Sequence, residues 1–505
     1  MLLDQLHSPT ANPASVQPRL ARAIADSLPT SLVATAVAAP LFLQHPLSLP
    51  RLTPFSAAFR QAVHLSQNPT NGWVNAILNG LQGGHPVLRL AAAGGLLLGF
   101  ADKSRAIPTR AQDHVVIALA QVMAMYTSVD WETHSSHDAL AISLVLASQS
   151  LPLIAPERLK ALPLPTLVNL LTASLVFGFT QDDLAAVSPI SKLTALCLSL
   201  LLDSRPKDGL PTAHACLVSL RDLAATRAPK ALLFATVMIS NAVLSSAVYI
   251  PPSVYSQPDS TTPASLAHTT LHALSHMSSL IAGFGGISST STDTFAELRQ
   301  TTYLALDILA APTTGSPDTH ADADAFVNEL LSNTNHSLSD EHYLAFTLAC
   351  MEQLVPALSV ECIIDRVWPV VEQHLSDSTH RQVYESAHSV VLAIFAKASA
   401  SASTSPKIDF DTGKGKGKET QQPPQPQSLT SFTSTLIPFY IRSLVYENSL
   451  SDATTDNGDG NGEKLNTIQL SMAFEACVRR AVGVDNEQHG YDGVGFGVEM
   501  FRIIL

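Results

Sequence analysis

Apolar residues recur at helical spacing along nearly the whole chain, whereas the every-second-residue alternation of a half-buried strand is scarce. The stretch that begins at Val383 shows the helical spacing clearly. Its apolar positions are Val383, Ala387, Val390, Val391, Ile394, Phe395 and Ala398. Intervals of three and four place these side chains on one helix face. Asp377 and Ser378 stand just before it as N-cap residues. The pattern predicts an all-α protein.

Three further stretches carry the same spacing. Phe326, Leu330 and Leu331 open one predicted helix, and a second contains Tyr343, Phe346, Cys350 and Leu354. The third lies near the C-terminus, with Arg479 and Arg480 off its apolar face. Its apolar positions are Leu470, Ala473, Phe474, Cys477, Val478 and Ala481.

Prolines divide the apolar pattern into pieces. The breakers are Pro108, Pro152, Pro163, Pro165, Pro189, Pro206 and Pro211. Their spacing predicts helices of about 12 to 20 residues joined by brief loops, as in helical arrays. Since no fixed repeat period is visible, we predict an irregular α-solenoid or a large α-helical bundle with disordered linker segments.

Polar, low-complexity stretches interrupt the helical pattern. Residues 399–430 are Ser-rich and then read DTGKGKGKETQQPPQPQ, which has no apolar face to bury and predicts a disordered linker. We therefore predict a helical scaffold over 1–398, followed by the linker over 399–430. C-terminal helices over 431–482, with a polar insertion at 451–463, are predicted to pack back on the scaffold. Residues 483–505 are predicted to form a tail. Residues 249–263 and 312–324 are weaker loop predictions.

The charge balance excludes one class of partner. The net charge is −13, from 29 basic and 42 acidic residues, and nucleic-acid binding depends on neutralising phosphates with Lys and Arg. Charged residues make up only 14% of the chain and apolar residues 46%. Uncovered apolar faces are therefore expected to meet a partner or a membrane surface.

The segment Ala231–Ile250 is the best candidate for a membrane span, because it has no charged residue and a span needs about 20 apolar residues. Thr236, Ser240 and Asn241 dilute its apolarity, so a buried core helix is favoured. The N-terminus has no basic stretch followed by an apolar one, which argues against a secretory signal. We expect peripheral association with a membrane.

The cysteines show no metal-binding or redox spacing. There are five, without a CxxC pair, and we predict buried thiols. They are Cys197, Cys216, Cys350, Cys362 and Cys477.

Other motifs with chemical potential are equally weak. The Gly/Lys run ends in Lys418-Glu419, where a phosphate-binding loop needs Ser or Thr. The segment GFGGIS at 283–288 is interpreted as a helix C-cap and turn. His134, His137 and Asp138 near Trp131 are equally consistent with a helix entrance.

Three histidines, His268, His272 and His276, recur every four residues on one helix face. They rise over about 12 Å of helix, too far for one ion, and are interpreted as a polar helix face. The competing hypothesis is a helical enzyme with a metal-binding site around His272. Because catalytic signatures are not visible, we predict no catalytic residue, no cofactor, no metal and no small-molecule substrate.

Three segments together resemble the fungal peroxin-eight family. They are LAAAGGLLLGF, which contains Gly94, Gly95 and Gly99; ESAHSVVLAIFA, which contains His388; and IPFYIRSLV (437–445) followed by LNTIQLSMAFEACVRRAV (465–482). Gly94 and Gly95 are expected to allow close approach of two helices, and His388 is expected to be a satisfied interior or groove histidine rather than a catalytic one.

The resemblance implies a peroxisomal biogenesis factor of the importomer, peripheral on the lumenal side of the membrane. Such a non-catalytic scaffold would take part in matrix-protein import, bridging the receptor-docking and RING-finger complexes of peroxins and acting with the cargo receptor. The chain departs from the family at its end, Phe501 to Leu505, which is not an SKL-like signal, and Arg19-Leu20 and Arg51-Leu52 lack the spacing of an N-terminal signal. The alternative is a cytosolic armadillo- or HEAT-like adaptor unrelated to peroxisomes.

Overall fold

The computed structural model describes most of the chain. The described residues are 13–26, 30–37, 49–66, 69–127, 134–181, 184–257, 260–287, 295–311, 320–337, 340–376, 379–404, 428–450, 465 and 469–478. Within these ranges the chain forms helices joined by short turns, and no strand occurs. The predicted all-α class, solenoid-like or bundle-like, is confirmed.

The chain divides into two compact units, Met1–Leu274 and Ser275–Leu505. The helices that begin in the first unit are α1 (Pro13–Asp26), α2 (Thr30–Ala36), α3 (Leu49–Leu65), α4 (Asn71–Leu81), α5 (Pro86–Asp102), α6 (Thr109–Tyr126), α7 (His134–Ser150), α8 (Pro156–Leu159), α9 (Leu164–Thr180), α10 (Leu184–Ser204), α11 (Pro206–Thr226), α12 (Lys230–Ala247) and α13 (Pro263–Ser275). Most long helices pack on the next helix or the next but one, as α3 does on α5 and α10 on α12, and α7 also packs on α10. Packing between helices that are close in sequence is typical of helical arrays.

The helix α5 shows how the sequence permits such packing. Gly95 and Gly99 lie one turn apart and face α3: a Cβ atom on Gly95 would lie 2.2 Å from the Ser56 carbonyl oxygen, and one on Gly99 would lie 2.7 Å from another α3 carbonyl. Gly94 faces α7 instead, where its Cβ would lie 3.3 Å from Ser150 Oγ. The expected close approach is confirmed, and the neighbouring glycines serve two different helices.

Among the residues of this unit that the structure describes, two helices are long and apolar enough to cross a membrane: Ala185–Ser204 and Lys230–Ala247. The described fold buries 67% and 56% of the respective apolar windows. The second helix, α12, buries residues such as Leu233, Ile239 and Val243 and packs on α10 and α11. The prediction that this segment is a buried core helix therefore agrees with the packing of α12.

The second unit contains shorter elements around two long helices. These are α14 (Ser278–Gly283), α15 (Ala296–Ala310), α16 (Ala321–Ser337), α17 (Glu341–Leu354), α18 (Val360–Cys362), a π-helical turn (Ile363–Val367), α19 (Trp368–His374), α20 (Arg381–Thr404), α21 (Leu429–Leu450) and a last helical stretch at 469–478. The helix α17 packs on α14, α15, α16 and α20, and α20 packs in turn on α19 and α21.

The apolar faces predicted for α17 and α20 are confirmed, because every residue assigned to them is buried. The C-terminal face is confirmed only in part: Ala473 and Cys477 are buried, whereas Val478 is 46% exposed. Ala481, Arg479 and Arg480 lie outside the described residues.

Two predicted helix breaks are wrong. Pro189 and Pro211 lie inside α10 and α11, each about five residues after the helix begins. A proline there removes one backbone hydrogen bond near the helix start. Buried residues that follow, such as Ile190 and Ala213, keep the helix in place through tertiary packing.

The predicted linker overlaps two helices at its ends. The helix α20 continues through Thr404, and α21 begins at Leu429. Residues 405–427 lie outside the described part of the chain, as do 451–463, 483–505, Asp377 and Ser378. The domain ranges proposed from the sequence stay a prediction.

Candidate functional site

The second unit contains a groove of about 620 Å³, here named the α17–α20 groove. Its lining residues are Ser278, Ile281 and Ala282 on α14, Gly285, Gly286 and Ile287 in the turn that follows it, His342, Ala345, Phe346, Ala349 and Glu352 on α17, Arg381, Gln382, Glu385, Ser386 and Ser389 on α20, and Gln469. The volume lies in the range of ligand pockets, roughly 300 to 1,000 Å³.

Helical periodicity determines which residues of α17 and α20, the two main walls, face the groove. On α17 the lining positions recur at intervals of three and four, from His342 to Glu352, so they form one stripe. The helix is anchored at its start because the Asp340 carboxylate accepts hydrogen bonds from the His342 and Tyr343 backbone N–H groups, at 3.1 and 3.3 Å. On α20 a polar stripe containing Gln382 faces the groove, while the opposite face is buried.

The third wall is the glycine-rich turn after α14. The backbone N–H groups of Gly285 and Gly286 donate to the carbonyl oxygens of Ala282 and Ile281, at 2.9 and 3.0 Å. Both glycines have positive φ, 89° and 76°, a conformation that other residues adopt at a cost. The predicted helix C-cap and turn is confirmed for 283–287. The turn also lines the groove, which local sequence alone did not indicate.

The charged groups of the groove are unequally paired. Glu385 Oε1 lies 3.0 Å from Arg381 Nε, so these two charges offset each other. Glu341 pairs with His380 beside an adjoining groove of about 590 Å³ that shares Ala282, His342, Arg381 and Gln382 with the first. The two grooves therefore form one long depression along α20.

Glu352 has a different environment. Its side chain is half-buried in the groove wall, and burial raises the pKa of its carboxyl group above the usual 4.5. Among the described residues, no cation lies within ion-pair distance of this carboxylate. Burial raises the pKa of the Tyr303 phenol on α15, and the charge of the nearby Glu352 raises it further. The groove thus contains a partly desolvated carboxylate that the described fold leaves without a counter-ion.

The buried face of α20 holds the second unit together behind the groove. His388 Nδ1 lies 2.9 Å from the Tyr440 hydroxyl of α21, within hydrogen-bond distance. The Tyr384 ring packs edge-on to the imidazole, with the centroids 4.5 Å apart. Burial lowers the pKa of His388 to about 4, an effect that the Leu375 backbone partly opposes. The interior position of His388 is confirmed, and its pair with Tyr440 joins two of the segments used in the resemblance.

The three histidines His268, His272 and His276 do not together form the polar helix face expected from their spacing. His272 is buried and His268 half-buried, with their ring centroids 4.7 Å apart. His276 is exposed and lies beyond the end of α13. The interpretation as a polar face is wrong for His272, because that side chain is buried.

The remaining sequence candidates are simpler. All five cysteines are buried, as predicted, and burial raises the pKa of every thiol. Buried thiols with raised pKa are poor nucleophiles. His134 begins α7, but its side chain, His137, Trp131 and the Gly/Lys run lie outside the part of the chain whose side chains are described.

The fold and the groove define an all-α helical scaffold with a long surface depression. Residues 323–396 match the family model described as the PEX8 central TPR-like domain, and this match supports assigning the chain to the PEX8 peroxin family. The matched residues run from the start of α16 to two thirds of α20, so they include both main walls of the groove. The PEX8 family is a scaffold family of peroxins associated with the peroxisome and its protein import.

Other comparisons add little. No curated protein matches the chain. A solved structure, described as the crystal structure of Kap121p bound to Pho4p, is similar with a TM-score of 0.29 and 12% identity, over 100% of this chain and 54% of that one. The chain therefore spans about half the length of that solved chain, and the similarity is too weak to support an argument.

Proposed function

We propose that the chain is a non-catalytic scaffold of peroxisomal matrix-protein import. In this role it bridges the receptor-docking and RING-finger complexes at the lumenal face of the peroxisomal membrane and acts with the cargo receptor. The observation that carries the proposal is the match of residues 323–396 to the PEX8 central TPR-like domain.

The described structure is consistent with such a role. Helical arrays present long surfaces on which several partners bind at once, and the α17–α20 groove lies within and beside the matched domain. Association with the membrane surface needs no spanning helix, because peripheral proteins are held by partners or by interfacial contacts.

Bridging is tested by purifying the docking complex from solubilised peroxisomal membranes through a tagged docking peroxin. We expect RING-finger peroxins to co-purify when the chain is present, to be lost when it is deleted, and to return on re-expression. Undiminished co-purification in the deletion strain would contradict the bridging role.

A further inference from the structure

We propose that the α17–α20 groove binds an extended segment of a partner protein, which places a lysine or arginine side chain against Glu352. This inference rests on the proposed function for the view that the occupant is a partner protein. It adds the chemistry by which that partner is recognised.

The charge argument begins with Glu352. A half-buried carboxylate costs free energy unless a cation or hydrogen-bond donors compensate it. The described residues supply no cation to Glu352, and the Arg381 guanidinium already lies 3.0 Å from Glu385. A cation that enters with a ligand would meet a carboxylate that the described residues leave without a partner, in a partly desolvated place where charge-assisted hydrogen bonds are strong.

The polar stripe of α20 suits a peptide backbone. Gln382, Ser386 and Ser389 line the groove and supply both donors and acceptors. Ser389 follows Gln382 by seven positions, a rise of about 10 Å along the helix. An extended chain covers that distance in about three residues, so the stripe matches the backbone of a short peptide segment.

The opposite walls suit apolar side chains. Ile281 and Ile287 come from the α14 region and Phe346 from α17. The depression also continues past the N-terminal end of α17 into the adjoining groove. An elongated occupant with apolar residues beside its cation fits these walls better than a compact metabolite does.

The test uses the full-length chain and fluorescent peptide pools. Each pool has a fixed central residue, either Lys, Arg, norleucine or Glu, with flanking positions drawn from Ala, Leu and Ser. By fluorescence anisotropy we expect the Lys and Arg pools to bind about tenfold more tightly than the norleucine pool, and the advantage to shrink at high salt. Equal binding of all pools would overturn the proposal.

Matched variants connect the binding to the groove. Glu352→Gln keeps the shape and removes the charge, and should abolish the preference for basic pools. Glu297→Gln removes an exposed glutamate of α15 outside the groove and should leave the preference unchanged. An unchanged preference in Glu352→Gln would overturn the proposal.

A labelling experiment locates the ligand without relying on Glu352. Because the native cysteines are buried, Ser386→Cys introduces a reactive thiol within the groove, and Gln300→Cys does so on an exposed part of α15. The Arg pool should slow alkylation at position 386 and leave position 300 unaffected. Equal rates at position 386 with and without peptide would contradict occupancy of the groove.

The chain's own lysines are a competing occupant. Replacing Lys414, Lys416 and Lys418 by Gln should leave the affinity for basic pools unchanged. Tighter binding by that variant would assign the groove to this chain's own segment and overturn the partner proposal. None of these results depends on where the protein resides in the cell, so a failure here is distinct from a failure of the proposed function.

Discussion

At the scale of single residues, His388 combines burial with an ionisable side chain. The imidazole is 4% exposed and lies between Tyr384 and Tyr440. Burial lowers its pKa from 6.5 to about 4, so the folded protein keeps it neutral at pH values where the unfolded chain binds a proton.

This difference makes stability depend on pH. Between the unfolded pKa of 6.5 and the folded value of about 4, the unfolded state binds more protons, so the free energy of unfolding falls as the pH is lowered. From neutral pH to about pH 5 the contribution of this one residue is a loss of roughly 2 kcal/mol. Urea denaturation of the full chain at both pH values measures the total loss.

The variant His388→Gln isolates this contribution, since other groups titrate equally in both proteins. Its free energy of unfolding should be lower than that of the unmodified protein at neutral pH. Between neutral pH and about pH 5, that free energy should fall by roughly 2 kcal/mol less than in the unmodified protein. An identical pH dependence in the two proteins would show that His388 does not stay neutral in the fold.

Residue types and spacing predicted some local environments and not others. His388 sits in an apolar helix face, so its interior position was predictable. His272 follows a spacing that looks polar, yet it is buried, because burial on a short helix is decided by neighbours that are distant in sequence. Glu352 gave no local signal, since its lack of a counter-ion among the described residues depends on which helices pack around α17.

At the scale of helices, α5 depends on residues without side chains. A Cβ atom at Gly95 would lie 2.2 Å from the backbone oxygen of Ser56, and a backbone atom cannot move aside as a flexible side chain can. We expect Gly95→Ala to force α3 and α5 apart and to lower the free energy of unfolding by about 2 kcal/mol.

The control for this prediction is Gly72→Ala in the first turn of α4. There the nearest atom to an added Cβ would be Thr70 Oγ1 at 3.7 Å, and alanine favours the helix over glycine by about 1 kcal/mol. Gly72→Ala should therefore be neutral or stabilising in chemical denaturation. Equal effects of the two variants would mean that the α3–α5 contact does not require glycine.

The contact of α20 with α21 depends on one buried polar pair. Removing the Tyr440 hydroxyl in Tyr440→Phe leaves His388 Nδ1 buried without its partner, at a cost of about 1 to 3 kcal/mol. We expect faster amide hydrogen exchange in α21 of the full chain, measured by mass spectrometry. The matched control is Tyr249→Phe, because Tyr249 is 86% exposed; similar acceleration in both variants would contradict the role of the pair.

Helix class and apolar faces followed from periodicity, whereas several helix limits did not. The faces of α17 and α20 were predicted residue by residue, since a spacing of three and four is direct evidence of a buried stripe. The breaks at Pro189 and Pro211 failed because tertiary packing can offset one lost hydrogen bond. Likewise α20 extends to Thr404 through a Ser/Ala-rich stretch whose composition does not mark a helix end.

At the scale of the whole molecule, the groove is a product of tertiary structure. Its lining comes from residues 278–287, 342–352, 381–389 and Gln469, which are separated by long stretches of sequence. Each segment alone reads as an ordinary helix or turn, so the sequence predicted the elements but not the depression between them. The match over 323–396 covers the lining residues of α17 and α20, whereas residues 278–287 and Gln469 lie outside it.

The central claim, a scaffold inside the peroxisome, is tested most directly by location. The measurement is fluorescence microscopy of the tagged full-length protein in its native host, combined with protease treatment of isolated organelles. We predict co-localisation with a peroxisomal marker, and protection from protease that is lost only when detergent dissolves the membrane. A diffuse cytosolic signal, or digestion without detergent, would contradict the lumenal import role and favour a general cytosolic adaptor.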